Sequence, residues 1–148
     1  MFGRIVVGTD GSDTAAEAVS QATELAKLSG ARLEIVSAFE PIPQQRVKQE
    51  AREAPGDVQY ESGPREDVNL ILEGAAGVAK NAGVEEVQTH AREGDPADAI
   101  LDVAEENDAD LVLVGNKGMT GARRFLLGSV PNKISHHAPC DVWIVKTT

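Results

Sequence analysis

Short, unbroken apolar runs recur along this chain, separated by stretches where apolar residues return at helical spacing. That alternation leaves few folds open. Ile5-Val6-Val7 leads into Gly8-Thr9-Asp10-Gly11-Ser12, Leu111-Val112-Leu113-Val114 is the most apolar run, and Asp141-Val142-Trp143-Ile144-Val145 is the last. A strand with one face in water alternates apolar and polar residues. A run without alternation reads as a strand buried on both faces, as in a parallel sheet. Leu33 to Phe39 reads as a second strand, and Val84 to Ala91 contains a weak third.

Helices are expected between these runs. Ala18, Ala22, Leu25 and Ala26 share one helical face, and Gly30 ends that helix. Thr14-x-x-Glu17 resembles a capping box at its start. Val68, Ile71, Leu72, Ala75 and Ala79 mark the next helix. Gly94-Asp95-Pro96-x-Asp98 is a strong helix start, with an Asp cap, Pro at the first position and acid in the first turn. Ile100, Val103 and Ala104 form its apolar stripe, and a last helix is expected from Ser129. Residues 40–63 are polar and nearly core-free, and read as a long excursion. Strands alternating with helices predict a single α/β domain over residues 1–148: a doubly wound parallel sheet with helices on both faces.

Charge is distributed unevenly. The chain carries 24 acidic residues and a net charge of −10, so 30 residues should hold about five acids. Leu111 to Cys140 holds none, yet contains Lys117, Arg123, Arg124 and Lys133. Glycines, hydroxyls and positive charge are the materials of a phosphate site. The acidic balance argues against broad binding to nucleic acid backbones, and 3% aromatics against a base-stacking platform. No apolar run approaches the roughly 18 residues of a membrane span. Cys140 is the single cysteine, so no intrachain disulfide can form, and a cytoplasmic location with no signal peptide is expected. His90, His136 and His137 form no convincing metal-ligand cluster with Cys140.

Ligands of open parallel sheets bind beyond the carboxyl ends of the strands, where the winding reverses. The loop at Gly8–Ser12 and the glycine loop after Leu111–Val114 face one crevice if their strands are neighbours. Asp10 could then accept hydrogen bonds from a sugar or base, or simply cap the following helix. Gly115 and Gly118 permit close backbone approach to phosphate, but equally suit plain turns. Ser129 suits a helix cap or an anion-binding helix start. Lys117 and Arg124 could add charge-assisted contacts. No obvious general base sits in the loop, so any hydrolysis should be slow.

Gly115-x-x-Gly118, nine residues, then Gly128-Ser129 matches the G-x-x-G-x9-G-(S/T) motif, and on it the chain resembles the ATP-binding universal stress proteins. The resemblance extends to Val7-Gly8-Thr9-Asp10-Gly11-Ser12, Gly94-Asp95-Pro96, Ala109 to Gly115 and His137-Ala138-Pro139-Cys140. It implies a five-stranded parallel sheet of order 3-2-1-4-5. It also implies that Thr9 and Asp10 meet adenine and ribose, and that Ala38 lines the adenine pocket through its backbone. Gly115, Asn116, Lys117, Gly118, Gly128, Ser129 and Val130 would wrap the phosphates of ATP, with Mg²⁺ or Mn²⁺. AMP or cyclic AMP would share the adenosine end. Pro131 departs from the family, whose members usually carry a small or hydroxylated residue there. A homodimer through Val142, Trp143, Ile144 and Val145 is implied, although Trp143 could instead pack under its own domain's helices. The function implied is a regulatory nucleotide sensor. An interaction module that no longer uses nucleotide, or a slow ATPase, are the alternatives.

Overall fold

The computed structural model describes residues 2–39, 64–116 and 129–146. The polar stretch at 40–63, together with Lys117, Gly118, Arg123, Arg124 and Gly128, lies outside the described residues. The elements are β1 (Arg4–Gly8), α1 (Asp13–Ser29), β2 (Arg32–Phe39), α2 (Pro64–Ala82), β3 (Val87–Glu93), α3 (Pro96–Glu106), β4 (Leu111–Gly115), α4 (Ser129–His137) and β5 (Asp141–Val145).

All strands are parallel, in the order β3-β2-β1-β4-β5. Strand alternation divides the apolar residues between two cores. Ile5, Val7, Leu33, Ile35, Leu111 and Leu113 pack with α1 and α2 through Ala18, Ala22 and Leu72. Val6, Val36, Val112 and Val114 pack with α3 and α4 through Ile100, Val103 and Ile134. β1 and β4 therefore bury both faces, which is why their sequences show no polar alternation. Asp110 fixes the start of the central pair, its Oδ2 accepting from Gly3 N at 2.8 Å and Arg4 N at 2.9 Å.

β3 is weak in sequence because it is an edge strand, with Gln88, Thr89 and Glu93 exposed. It begins at Val87, inside the Val84 to Ala91 stretch, and runs two residues past it to Glu93. Arg92 ties it to the end of α3 through two hydrogen bonds to Glu106, at 2.9 and 2.7 Å. Glu34, on β2, is wholly buried. Its carboxylate accepts from Arg32 Nε at 2.7 Å and lies 2.8 Å from His90 Nε2.

Helix starts follow local chemistry. Asp95 caps α3, accepting from Asp98 N at 3.1 Å, and Pro96 opens the first turn as expected. The start of α1 differs from the Thr14 capping box. The cap is Ser12, whose Oγ accepts from Ala15 N at 3.2 Å, and Thr14 lies inside the first turn. Asp10 selects this start by holding Ser12: its Oδ1 accepts from Ser12 N at 2.9 Å and Ser12 Oγ at 2.5 Å. Ser12→Ala should destabilise the protein by about 1 kcal/mol, or about 3 °C in thermal melting. A larger loss from Thr14→Ala than from Ser12→Ala would move the cap back to Thr14.

At the opposite edge, β5 sends Val145 into one core and packs Val142 against the other. Ile144 stays 50% exposed and Trp143 44% exposed, so Trp143 is not enclosed beneath its own helices. Its ring meets Phe2 edge-on, with centroids 5.8 Å apart.

Candidate functional site

β1 and β4 are hydrogen-bonded neighbours, so the loops that leave their carboxyl ends flank one crevice. This is where the winding reverses, because the chain runs outward from β1 to β2 and β3, then crosses to β4. A cleft open to solvent lies there. Val36, Ile100 and Val114 give it an apolar floor, and Thr9, Asp10 and Ser37 supply its polar side chains.

Gly8 makes room for that floor. A Cβ on Gly8 would stand 2.4 Å from Ile100 Cδ1. Beyond it the chain turns sharply. Thr9 N donates to Val36 O at 2.9 Å, continuing the sheet one residue past the end of β1. Thr9 Oγ1 accepts from Gly11 N at 3.1 Å. Gly11 adopts φ +83°, and a Cβ there would lie 2.8 Å from Ile71 Cγ1 on α2. Only glycine meets both demands without strain. Asp10 lines the cleft and also holds Ser12, so it braces the helix start without being its cap.

On the other wall, β4 ends at Gly115, and Asn116 N donates to Val145 O at 2.9 Å. Ser129 opens α4, and Val130 and Pro131 line the cleft. Pro131 sits in the first helical turn, where a missing N–H breaks no helical bond. Lys133, one turn along, is occupied: its Nζ lies 2.7 Å from Asp98 Oδ1 and 3.5 Å from Asp95 Oδ2. The hydrogen bond to Asp98 raises its pKa further. Lys133 thus fastens α4 to the start of α3 and is not a loose cation of the acid-free segment.

Thr9, Asp10, Ala38, Gly115 and Val130 therefore surround one cleft. Asn116 directly follows β4 and Ser129 begins α4. Lys117, Gly118 and Gly128 lie outside the described residues. Sequence reasoning missed Ala15, Val36, Ser37, Ile100 and Val114 as lining residues. Apolar members of a cleft floor look like core residues in a sequence. Ser37 carried the one usable signal, a hydroxyl set between apolar Val36 and Ala38.

Cys140 is partly buried and lies outside the cleft. Burial, then the charges of Asp141 and Asp110, push its thiol above the ordinary cysteine value. Less thiolate is then present near pH 8, so iodoacetamide should modify native protein several-fold more slowly than urea-unfolded protein. Equal rates would contradict this environment. Among the described residues there is no group of three or more His, Cys, Asp and Glu able to hold a metal ion, and no helix long and apolar enough to cross a membrane.

An open, doubly wound α/β domain with a small-ligand cleft at its switch point defines the structural class. The chain belongs to the universal stress protein family, whose sequence profile matches residues 1–146. It is similar to universal stress protein Rv1636 of Mycobacterium tuberculosis, with 40% identity over 144 residues, 97% of this chain and 96% of that protein. A universal stress protein solved in complex with cyclic AMP is 35% identical, covers 99% of both chains and superposes with a TM-score of 0.74. A universal stress protein of Archaeoglobus fulgidus, at 23% identity, covers 99% of this chain and 95% of its own. With a TM-score of 0.69, it shares the fold.

Proposed function

We propose that this universal stress protein binds an adenine nucleotide, ATP first among them, in the cleft between β1 and β4, as a cytoplasmic regulatory protein. The observation that carries this reading is the cleft itself. Thr9, Asp10 and Ala38 stand on its β1–β2 side, and Gly115 and Val130 on the side of the glycine loop. The cyclic AMP complex of the relative at 35% identity supports an adenine ligand. AMP and cyclic AMP would use the same adenosine end.

In this reading Thr9, Asp10 and the Ala38 backbone hold adenosine. Gly115, Asn116, Lys117, Gly118, Gly128, Ser129 and Val130 take the phosphates, helped by the positive end of α4. Segment 111–140 contains no acid. Mg²⁺ or Mn²⁺ would therefore be held chiefly by phosphate oxygens and water, with Asp10 the nearby carboxylate. Slow hydrolysis at most is expected, since the acid-free segment supplies no carboxylate base.

Calorimetry on nucleotide-stripped protein tests the reading: saturable ATP binding is expected, and none at millimolar ATP would sink it. A ligand at a hundred times its Kd should also stabilise the native protein by about 2.7 kcal/mol.

One observation favours the interaction-module reading. Pro131 lines the cleft and has no N–H to offer a phosphate. Identical melting with and without Mg-ATP would favour that reading. Homodimerisation through β5 is part of the proposal, because Trp143 and Ile144 leave an apolar sheet edge exposed. Trp143→Asp should halve the sedimenting mass. A monomeric wild type would dismiss the dimer.

A further inference from the structure

The cleft's polar side chains are not equally committed. Thr9 Oγ1 accepts from Gly11 N, and Asp10 Oδ1 accepts from Ser12 N and Ser12 Oγ. Ser37 differs. It is 3% exposed, lines the cleft, and its hydroxyl has no hydrogen-bond partner among the described residues. Among those residues no sealed side-chain nitrogen or oxygen lacks a partner. The Ser37 hydroxyl is therefore not sealed off and meets the space of the cleft.

Its position is set by β2. Ile35 faces the core shared with α1 and α2, and Val36 faces the other core, so alternation turns Ser37 toward α1. Ala15, in the first turn of α1, lines the same side of the cleft. Ser37 and Ala15 thus bound a recess between β2 and the start of α1.

That recess faces one end of an extended ligand. β2 and β4 are separated by β1, which places them about 10 Å apart at ordinary strand spacing. A phosphate held at Gly115 and α4 leaves the other end of a nucleotide, its base, at β2. We propose that the Ser37 hydroxyl hydrogen-bonds the base of the bound nucleotide, making Ser37 a specificity-determining residue. This inference rests on the nucleotide reading above. A buried hydroxyl with no partner among the described residues is ready for an incoming group. Removing it costs the fold nothing and the ligand one hydrogen bond.

The test compares wild type and Ser37→Ala, both stripped of nucleotide. ATP affinity is measured by calorimetry and adenosine affinity by ligand-observed NMR. Ser37→Ala should bind both about tenfold more weakly, the value of one hydrogen bond. Its ligand-free melting temperature should be unchanged or higher. Equal affinities in the two proteins would overturn the inference. So would a loss seen with ATP but absent with adenosine, because the hydroxyl would then serve the phosphates. Failure of wild type to bind adenosine while binding ATP would overturn it for the same reason. A ligand-free variant melting several degrees lower would show that the hydroxyl serves the fold. Failure of wild type to bind either compound would remove the nucleotide reading itself, a result separate from intact binding that ignores Ser37.

Discussion

Arg32→Met should destabilise the protein by about 3 kcal/mol, a fall of about 10 °C in Tm. The cause lies two residues along the same strand. Glu34 has no exposure, and Arg32 holds its carboxylate at 2.7 Å from within the same strand. Met keeps the length and packing of the Arg stem but removes the charge and the donor. Among the described residues the carboxylate is then left buried beside His90 alone. The partners are less committed, since the side chains of Arg32 and His90 are 29% and 16% exposed and can reach water. This asymmetry predicts strong non-additivity. Arg32→Met with Glu34→Leu should recover most of the loss, because an apolar side chain of similar volume replaces the stranded charge. Chemical denaturation of the two single variants and the double variant measures the coupling. Strict additivity would mean that the ion pair contributes independently at each residue.

The second large effect falls on the cleft. Gly8→Ala should weaken ATP binding by at least tenfold and destabilise the fold by about 1–3 kcal/mol. The new methyl would enter space held by Ile100, with Cδ1 at 2.4 Å and Cγ1 at 3.1 Å. Ile100 forms part of the cleft floor, so its escape from the clash occupies ligand space. The second substitution Ile100→Val, which deletes the clashing Cδ1, should restore both stability and affinity. Wild-type ATP affinity in Gly8→Ala would show that Ile100 yields away from the cleft.

Architecture was legible where burial was symmetrical. β1 and β4 are apolar on both faces, so their sequences announce a parallel sheet without any need for pairing information. The order 3-2-1-4-5, expected by resemblance, is the observed one. β3 was faint because an edge strand carrying Gln88, His90 and Arg92 lacks that signature. The start of α1 was misplaced for a different reason. Ser12 and Thr14 both suit a cap, and only the bond from Ser12 to Asp10 decides between them.

The cleft was legible at Gly115, Thr9 and Asp10, where unusual residue types break the apolar pattern, while Gly118 and Gly128 lie outside the described residues. Ile100 and Val36 gave no signal, since cleft floor and core use the same side chains. Glu34 was hidden as well. Arg32 precedes it by two positions, but His90 comes from another strand, and no local pattern links the two.

The position of β1 has a consequence for how this protein comes into being. Its strand is synthesised before the other described strands, yet occupies the middle of the sheet. One neighbour, β2, follows within about thirty residues, but Ile5 must await Leu111 on the other side. Until then the growing chain presents a bare apolar edge that any other strand can join. Pairing across so long a separation also slows the final search, because loop closure precedes the contacts that reward it. A nascent chain stopped before β4 is therefore not half a domain. It is an aggregation-prone intermediate, and the cleft begins to form only when β4 closes the gap.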